Sequence, residues 1–400
     1  MGRHLLRLIW KRKTRHLLLT LELALAFALI FPLAAFTARG LQLMRLPLGF
    51  DIEAVWAVQL QPGDPAEARR DTELLDRFKR EIQALPQVQQ AALISYAPYT
   101  DSEFRTQFAR PGERGLVTSQ VLTASDELFE TLGLALLQGR GFGRADAGGG
   151  DTPVVVNQAM ATELAPTGSA VGLRFSAGEP GPEGLRWFRV TGVVEAYRDR
   201  GELMSPAPFI LMRHAGQAGG DPPLQLVLRL KPGTPRGFEA VLNQRVRQIR
   251  GDWSYTITPL AELRAQKLRA VAIMWTALAV PAAFVLLMVA FGLFGVLWQS
   301  VALRTQEIGL RRAVGASAGQ VYRQIVAEQL LLGSLAMALA LALLIQIPLT
   351  GLWSADLNWS VFAAAALASA GAIYAISLLC ALLPAWQASR VAPAAALRGE

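Results

Sequence analysis

Four runs of this 400-residue chain are almost free of charged side chains, and they constrain its fold more than any other feature. The runs cover residues 17–38, 270–303, 329–355 and 359–389. A helix needs about 20 predominantly apolar residues to cross the hydrocarbon core of a bilayer, so each run is long enough. The sequence therefore predicts an α-helical membrane protein with four transmembrane helices.

Residues 40–268, between the first and second runs, have the composition of a water-soluble domain. Patterns typical of strands and helices alternate there and are separated by Gly/Pro-rich turns such as 148–150 and 178–184. Strands are predicted at 55–60, 88–95, 115–122, 153–157, 188–194 and 224–230, helices at 65–85, 126–133 and 237–249, and a turn at 205–208. Ser125 and Asp126 are predicted to cap the middle helix, and Gly133 to end it. We expect a mixed α+β domain inserted between transmembrane helices 1 and 2.

The charge of the chain is distributed unevenly. The formal net charge is +8, yet residues 40–268 are close to neutral, so the basic excess lies beside or between the apolar runs. Cytoplasmic segments next to membrane spans carry an excess of Lys and Arg. The pattern places both termini and the segment after residue 303 in the cytoplasm, and residues 40–268 outside. It indicates membrane topology rather than a nucleic-acid partner.

The N-terminal region leaves two alternatives open. Residues 1–16 mix basic and apolar side chains, as in a helix that lies on an anionic leaflet. A cleaved signal peptide is the competing interpretation, because residues 34–38 are small enough for cleavage, although the apolar run is long for one. Glu22 inside the first run is either an interhelical polar contact or an acid that reaches the interface.

The predicted organisation divides the chain into eight segments. They are a basic amphipathic segment (1–16), transmembrane helix 1 (17–39), the extracytoplasmic domain (40–268), transmembrane helix 2 with a projecting stalk (269–303), a cytoplasmic connector (304–325), transmembrane helices 3 (326–355) and 4 (359–389), and a cytoplasmic tail (390–400).

The connector begins with RTQEIGLRRAVGAS at residues 304–317. Glu307 is spaced to pair with both Arg304 and Arg311 along one helical face. Gly309 leaves room for a neighbouring backbone, and Gly315 can end the helix in the left-handed region. Ser317 with Gln320 fits a capping box for the next helix. Composition alone is also consistent with a solvated basic loop.

Residues 304–334 resemble the signature RxxEIGxRRAxGAS of FtsX/MacB-type ABC-transporter permeases. Residues 129–142 (FETLGLALLQGRGF), 154–175, 190–199 (VTGVVEAYRD) and 390–400 resemble other parts of the same family, including its extracytoplasmic core domain. The resemblance therefore covers nearly the whole chain.

The resemblance implies a permease of the cell inner membrane that works as a homodimer or heterodimer on a separate ABC ATPase. The positions carried over as ATPase-coupling contacts are Arg304, Glu307, Gly309, Arg311, Arg312, Gly315 and Ala316. The expected function is export or extraction of peptides, lipids, lipoproteins or drugs. A periplasmic adaptor is a further expected partner. The alternative is a non-transporting regulator that activates an external partner such as a cell-wall hydrolase.

The same reasoning predicts no enzyme activity, cofactor or metal in this chain, with ATP and Mg²⁺ held by the partner. None of the five lysines follows a glycine, so the phosphate-binding motif GxxxxGK[ST] is absent from the sequence. The three histidines are scattered, and the single cysteine, Cys380, lies inside an apolar run. A Cys-based metal site or an intrachain disulfide is therefore excluded.

Overall fold

The computed structural model describes residues 13–64, 72–110, 115–146, 148–178, 185–214, 222–351 and 357–390. Most of the predicted amphipathic segment (1–12 of 1–16), the tail beyond residue 390 and most of the turn at 178–184 lie outside these ranges. The chain forms two compact units. The first combines Met1–Gln42 with Ala272–Glu400, and the second is Leu43–Val271. We call them the helical unit and the outer domain.

The described residues form ten α-helices and eleven strands. The helices are α1 (Lys13–Met44), α2 (Thr72–Gln83), α3 (Leu128–Leu132), α4 (Gln158–Leu164), α5 (Phe238–Ile249), α6 (Leu260–Leu303), α7 (Thr305–Ala313), α8 (Ala318–Leu344), α9 (Gln346–Thr350) and α10 (Trp359–Ser389). The strands are β1 (Val55–Gln61), β2 (Val88–Ile94), β3 (Arg105–Ala109), β4 (Leu116–Ala124), β5 (Leu136–Gly139), β6 (Thr152–Asn157), β7 (Arg174–Ala177), β8 (Trp187–Val194), β9 (Phe209–Arg213), β10 (Gln225–Leu230) and β11 (Ser254–Pro259).

Four helical stretches of the described chain are long and apolar enough to cross a membrane. They are Leu17–Met44, Leu260–Leu303, Ala318–Thr350 and Trp359–Ser389. Three of them contain a whole uncharged run and Ala318–Thr350 contains most of the run 329–355, so the prediction of four apolar helices is confirmed. Helix α6 is the longest at 44 residues and begins ten residues before its uncharged run. It is therefore about 66 Å long, roughly twice the hydrocarbon thickness.

Small residues mediate the packing inside the helical unit. The buried face of α10 repeats every fourth residue, through Ala365, Ser369, Ile373, Ser377 and Ala381. The buried face of α8 carries Gly333, Ala336 and Ala340. Lipid tails are as apolar as leucine, so helices in a bilayer associate through close packing rather than the hydrophobic effect. Small side chains allow that close approach of the two backbones.

Glu22 is directed at a neighbouring helix. A Cβ added at Gly292 of α6 would lie 2.5 Å from Oε1 of Glu22. The carboxylate therefore packs over the glycine backbone, and any larger residue at 292 would displace it. This placement favours the interhelical contact over the interfacial alternative.

The outer domain is built on one eleven-stranded mixed sheet. The strand order is β11-β1-β10-β2-β4-β3-β7-β8-β6-β9, with β5 on β8 and a further pairing of β4 with β9. The pairings of β4, β3, β7, β8, β6 and β9 close into a ring. The four strands β11, β1, β10 and β2 form an open sheet that meets the ring through the single pair Ile94–Ala124. Helices α2 and α5 cover the open sheet and bury a separate apolar core around Phe78, Leu242 and Trp253.

All six predicted strands are present, and the helices predicted at 126–133 and 237–249 appear as α3 and α5. The predicted helix at 65–85 is seen from Thr72, because residues 65–71 lie outside the described ranges. Residues 205–208 are an irregular segment before β9 rather than a turn. Five short strands were not predicted: β3, β5, β7, β9 and β11.

The predicted cap of α3 is wrong. The N-cap residue is Glu127, and its side chain makes no capping hydrogen bond. The hydroxyl of Ser125 instead accepts a hydrogen bond from the backbone N–H of Leu93, 3.0 Å away. Asp126 is bound to Arg213, with Nε–Oδ1 at 2.6 Å. Both side chains therefore serve tertiary contacts, although Gly133 does end the helix with a φ of +66°.

Arg198 ties the last turn of α1 to the loop between β8 and β9. Its side chain is 2% exposed. Its Nη1 donates to the backbone oxygens of Leu43 and Leu46, both at 3.1 Å. Its Nε donates to the oxygen of Met204 at 3.0 Å. The buried guanidinium thus holds two segments of the outer domain together through charge-assisted hydrogen bonds.

The neighbouring residue, Asp199, has a buried carboxyl group that accepts no hydrogen bond from a side chain of the described residues. It is 2% exposed. Burial raises the pKa of Asp199 to about 6, against the lowering effect of the Arg200 guanidinium, and Glu103 raises it further. Its charge also raises the pKa of Tyr96 and of Tyr197, after burial. The ionised carboxylate is therefore destabilising in the folded outer domain.

Replacing Asp199 with Asn should stabilise the protein at pH 7.5. The pKa of Asp199 is about 6 when folded and 3.8 in its ordinary state, so ionisation opposes folding above pH 6. The resulting penalty, on the order of 3 kcal/mol, decreases as the pH falls through 6 and disappears near pH 4. The difference in Tm between Asp199→Asn and wild type, both in detergent, should accordingly shrink from pH 7.5 to pH 4.5. A difference that is constant or grows over this range would contradict the assignment.

Candidate functional site

The connector between α6 and α8 is a short helix bounded by two local motifs. At its start, Arg304 has a φ of −105° and separates the end of α6 from α7. The hydroxyl of Thr305 donates to the oxygen of Ala302 at 2.8 Å, and the N–H of Ile308 donates to the oxygen of Arg304 at 2.9 Å. These bonds occupy carbonyl groups that the break between the helices would otherwise leave free.

The end of α7 is a Schellman motif. The N–H of Ala316 donates to the oxygen of Arg311 at 3.0 Å, and that of Gly315 to the oxygen of Arg312 at 3.1 Å. Gly315 has a φ of +106°, a region that side chains with a Cβ rarely adopt. This is the helix end predicted for Gly315.

The next helix, α8, begins with the predicted capping box. The N–H of Gln320 donates to Oγ of Ser317 at 3.3 Å, and the N–H of Ser317 donates to Oε1 of Gln320 at 3.0 Å. The connector is therefore a compact helix, glycine turn and capped helix.

The ion pairs of the connector differ in part from the prediction. Arg311 is paired with Glu307 at 2.6 Å, as expected from their spacing. Arg304 instead binds Glu328 of α8, with Nη1–Oε2 at 2.9 Å. Gln324 links the two pairs, since it accepts from Arg311 at 2.9 Å and donates to Glu328 at 3.1 Å. A chain of polar contacts thus fixes α7 against the first turns of α8.

The seven predicted coupling residues divide by exposure. Arg304 and Gly309 are turned inward: the Arg304 side chain is 15% exposed, and Gly309 is buried. Glu307 and Gly315 are exposed, and Arg311, Arg312 and Ala316 are half-buried. The inward residues position the connector, and the others remain accessible to a partner.

Apolar packing supports the inner side of α7. Ile308 is buried in a small cluster with Val321 and Ala388. A cavity of about 70 Å³ lies beside this cluster, lined by the polar chain and by apolar residues of α6 and α8. Arg312 donates to the backbone oxygen of Ser389, at the end of α10, at 2.9 Å. The connector is thus attached to α8 and α10 as well as to α6.

Leu310 on α7 and Val314 at its C-cap are exposed apolar residues that the sequence reasoning missed. Leu310 is 55% exposed and Val314 is 83% exposed. The spacing of these two apolar residues, four apart in the sequence, could have predicted a binding surface. Gln324 and Glu328 were missed as members of the polar chain because they are distant in sequence from their arginines.

Groups that could hold a metal are not found in the described part of the chain. No cluster of three or more His, Cys, Asp or Glu side chains lies close enough together there. The connector itself combines arginines with single carboxylates, which suits protein contacts rather than metal binding.

Two family models match the chain. The model described as the MacB-like periplasmic core domain covers residues 17–242, and the FtsX-like permease C-terminal model covers residues 279–393. The chain belongs to the MacB/FtsX family of ABC-transporter permeases. The second match contains the connector, so this element lies in a region common to FtsX-like permeases.

Several curated relatives are similar to this permease. It is 29% identical over 307 residues to the macrolide export ATP-binding/permease protein MacB 1/2 of Paracoccus denitrificans, covering 70% of this chain and 42% of that one. It is 28% identical over 300 residues to a MacB of Chromobacterium violaceum, covering 71% and 44%. The uncharacterised ABC transporter permease YknZ of Bacillus subtilis is 28% identical over 151 residues, 37% of each chain. The permease spans less than half the length of these relatives.

Solved structures of the family resemble the permease at low sequence identity. The periplasmic region of MacB from Actinobacillus actinomycetemcomitans aligns with 56% of this chain and 97% of that one, with 13% identity and a TM-score of 0.40. The extracellular domain of YknZ from Gram-positive bacteria aligns with 51% and 99%, with 12% identity and a TM-score of 0.36.

Replacing Gly315 with Ala should loosen the connector, whereas replacing Gly319 with Ala should not. No atom lies within 4 Å of a Cβ at either position, so sterics do not separate them. Only Gly315 has a positive φ, and a Cβ there costs about 1–2 kcal/mol. Gly319 lies in the first turn of α8, where Ala stabilises by about 0.5 kcal/mol. Trypsin cleavage after Arg311 and Arg312 should be at least about fivefold faster in Gly315→Ala. Equal rates in the two variants would contradict this account.

Proposed function

We propose that this permease transmits the movements of a separate ABC ATPase to its outer domain. The observation that supports the proposal most directly is the exposure of the apolar residues Leu310 and Val314 on a firmly braced connector. An amphipathic helix that presents a few apolar anchors suits a groove on a partner protein. The polar chain of Arg304, Gln324 and Glu328 would carry a displacement of α7 into α8.

Helix α6 supplies the route outward. It runs without interruption from Leu303, next to the connector, to Leu260 in the outer domain. Its first turns are fastened within that domain: Arg264 pairs with Glu202 at 2.5 Å, and Lys267 pairs with Asp101. Glu202 belongs to the same loop as Arg198, which holds the end of α1. Movement of α6 would therefore reach the loop that also anchors α1.

In this proposal the permease is a multi-pass protein of the inner membrane, with the basic connector and both termini in the cytoplasm. Two permease chains, identical or different, would act on the ATPase, which holds ATP and Mg²⁺. The work would be done on the outer side, as export or extraction of peptides, lipids, lipoproteins or drugs, with a periplasmic adaptor where an outer membrane must be crossed.

Replacing Val314 with Asp should abolish co-purification of an ABC ATPase with tagged permease from native membranes. The carboxylate would have to be desolvated in the contact, which costs several kcal/mol. Val241→Asp is the matched control, because Val241 is 45% exposed on α5 of the outer domain. Wild type and the control should retain the ATPase. Retention by Val314→Asp would refute the docking role.

A charge exchange in the connector tests whether the pair of Glu307 and Arg311 contacts the ATPase. The exposed pair of Glu307 and Arg311 contributes only about 0.3–0.5 kcal/mol to the helix, so its loss alone would leave α7 folded. The double variant Glu307→Arg with Arg311→Glu keeps the pair and reverses the charges that a partner meets, although it removes the hydrogen bond from Arg311 to Gln324. We expect it to enter the membrane and to lose the ATPase. Full retention would show that the pair only braces the helix.

The proposed topology predicts opposite labelling of two engineered cysteines. Gly150→Cys in the outer domain should react with a membrane-impermeant thiol reagent added to whole cells, and Ala313→Cys on α7 only after lysis. Both parent residues are exposed. The single native cysteine, Cys380, is buried and would be replaced by Ser to remove background. The reverse pattern would overturn the orientation.

A further inference from the structure

A cavity of about 640 Å³ opens in the outer domain beside the first three turns of α6. Trp56, Lys231, Arg236, Glu262, Gln266 and Arg269 line it, together with small residues of the loop after β10. Its volume is in the range of small-molecule sites, which is about 300–1,000 Å³. The cavity lies beside α6, but none of the ion pairs that fasten α6 in the outer domain belongs to it.

The basic residues of this cavity are not neutralised by protein carboxylates. Many arginines of the outer domain are paired, for example Arg140 with Asp146 and Arg213 with Asp126. Within the described ranges, Lys231, Arg236 and Arg269 form no ion pair at all. Glu262 also lines the cavity, yet it lies outside ion-pair distance of the three. Three cations around one opening repel one another, and a bound anion would relieve that repulsion.

The composition of the cavity selects a phosphate-bearing ligand. Three cations and one carboxylate leave an excess of two positive charges, which is enough to attract the single negative charge of a lipid phosphodiester. Lys and Arg bind phosphate oxygens through charge-assisted hydrogen bonds. The Gln266 amide can bind a neighbouring hydroxyl or ester oxygen, and Glu262 can accept from a hydroxyl or ammonium group.

The position of Arg269 in the chain indicates where such a phosphate comes from. Arg269 is the last charged residue before the uncharged run of α6, which extends to Leu303. Lys and Arg at the end of a membrane-spanning helix meet the lipid headgroups. The helical distance from Arg269 to Glu262 is about 10 Å, slightly more than the roughly 5–8 Å that the headgroup region adds on each side of the hydrocarbon core.

We propose that this cavity binds the phosphate-bearing headgroup of an anionic lipid of the outer leaflet, held by Lys231, Arg236 and Arg269. The headgroup bridges the loop after β10 and the first turns of α6. Binding at this site requires neither the connector nor a partner protein, so it can be tested without the ATPase.

The test compares lipid binding by the full-length permease and charge variants in uncharged detergent. Native mass spectrometry would titrate each protein with phosphatidylglycerol, with phosphatidylcholine as the net-neutral lipid and inorganic phosphate as the soluble anion. The triple variant Lys231→Gln, Arg236→Gln, Arg269→Gln should bind phosphatidylglycerol at least tenfold more weakly. The control Arg77→Gln, Arg80→Gln, Arg144→Gln removes the same charge from exposed residues outside the cavity, and should bind as wild type does.

A second variant guards against loss of folding as an explanation. Glu262→Gln removes the one carboxylate of the cavity and should tighten phosphatidylglycerol binding, which a damaged fold would not do. Equal binding by wild type, the triple variant and Glu262→Gln would overturn the proposal. Preference for phosphatidylglycerol over inorganic phosphate would support a lipid source. Saturable binding of phosphate alone, lost in the triple variant and without preference for the lipid, would overturn the lipid source.

Discussion

Backbone groups freed at the ends of helices must find other partners, and the connector is built around this constraint. Between α6 and α8 the chain must end one helix, form another and begin a third. The hydroxyl of Thr305, the Schellman motif at Gly315 and the Ser317 capping box satisfy the backbone within the segment itself. Because few backbone groups of the connector lack a partner, its other side chains are available for tertiary and partner contacts.

The polar chain then determines which face of α7 is available. Arg304 reaches Glu328, and Gln324 joins that pair to Arg311. While these groups bind one another and α8, Leu310 and Val314 are left exposed. A loop that only sets topology would not require two exposed apolar side chains beside paired charges. The connector is thus a helix, a glycine turn and a capped helix rather than an irregular loop, which supports the docking role that we propose.

Sequence patterns predicted the parts of this protein that depend on local chemistry. The bilayer requires long uncharged runs, and the geometry of helix ends requires residues such as Gly315 and Ser317. Both features could therefore be predicted from the sequence. The partner of Arg304 is 24 residues away and depends on the packing of two helices, so spacing rules selected Glu307 instead. Ser125 resembled a cap, yet its hydroxyl binds Leu93 of another strand. Short strands such as β5, whose residues are all exposed, carry no alternation of apolar and polar residues to detect.

The two proposals meet on α6. One end of this helix adjoins the connector, and its first turns line the basic cavity, facing the loop that carries Lys231 and Arg236. A phosphate held between Arg269 and that loop would favour the arrangement of α6 in which all three cations reach it. Coupling free energies are reciprocal. A movement of α6 that separates these cations would therefore lower the affinity for the ligand by the same factor by which the bound ligand disfavours the movement. A stroke from the ATPase would then release a headgroup from the cavity, and an occupied cavity would oppose the stroke. Both proposals therefore involve α6: its movement would transmit the action of the ATPase, and the same movement would change the affinity of the cavity for a headgroup.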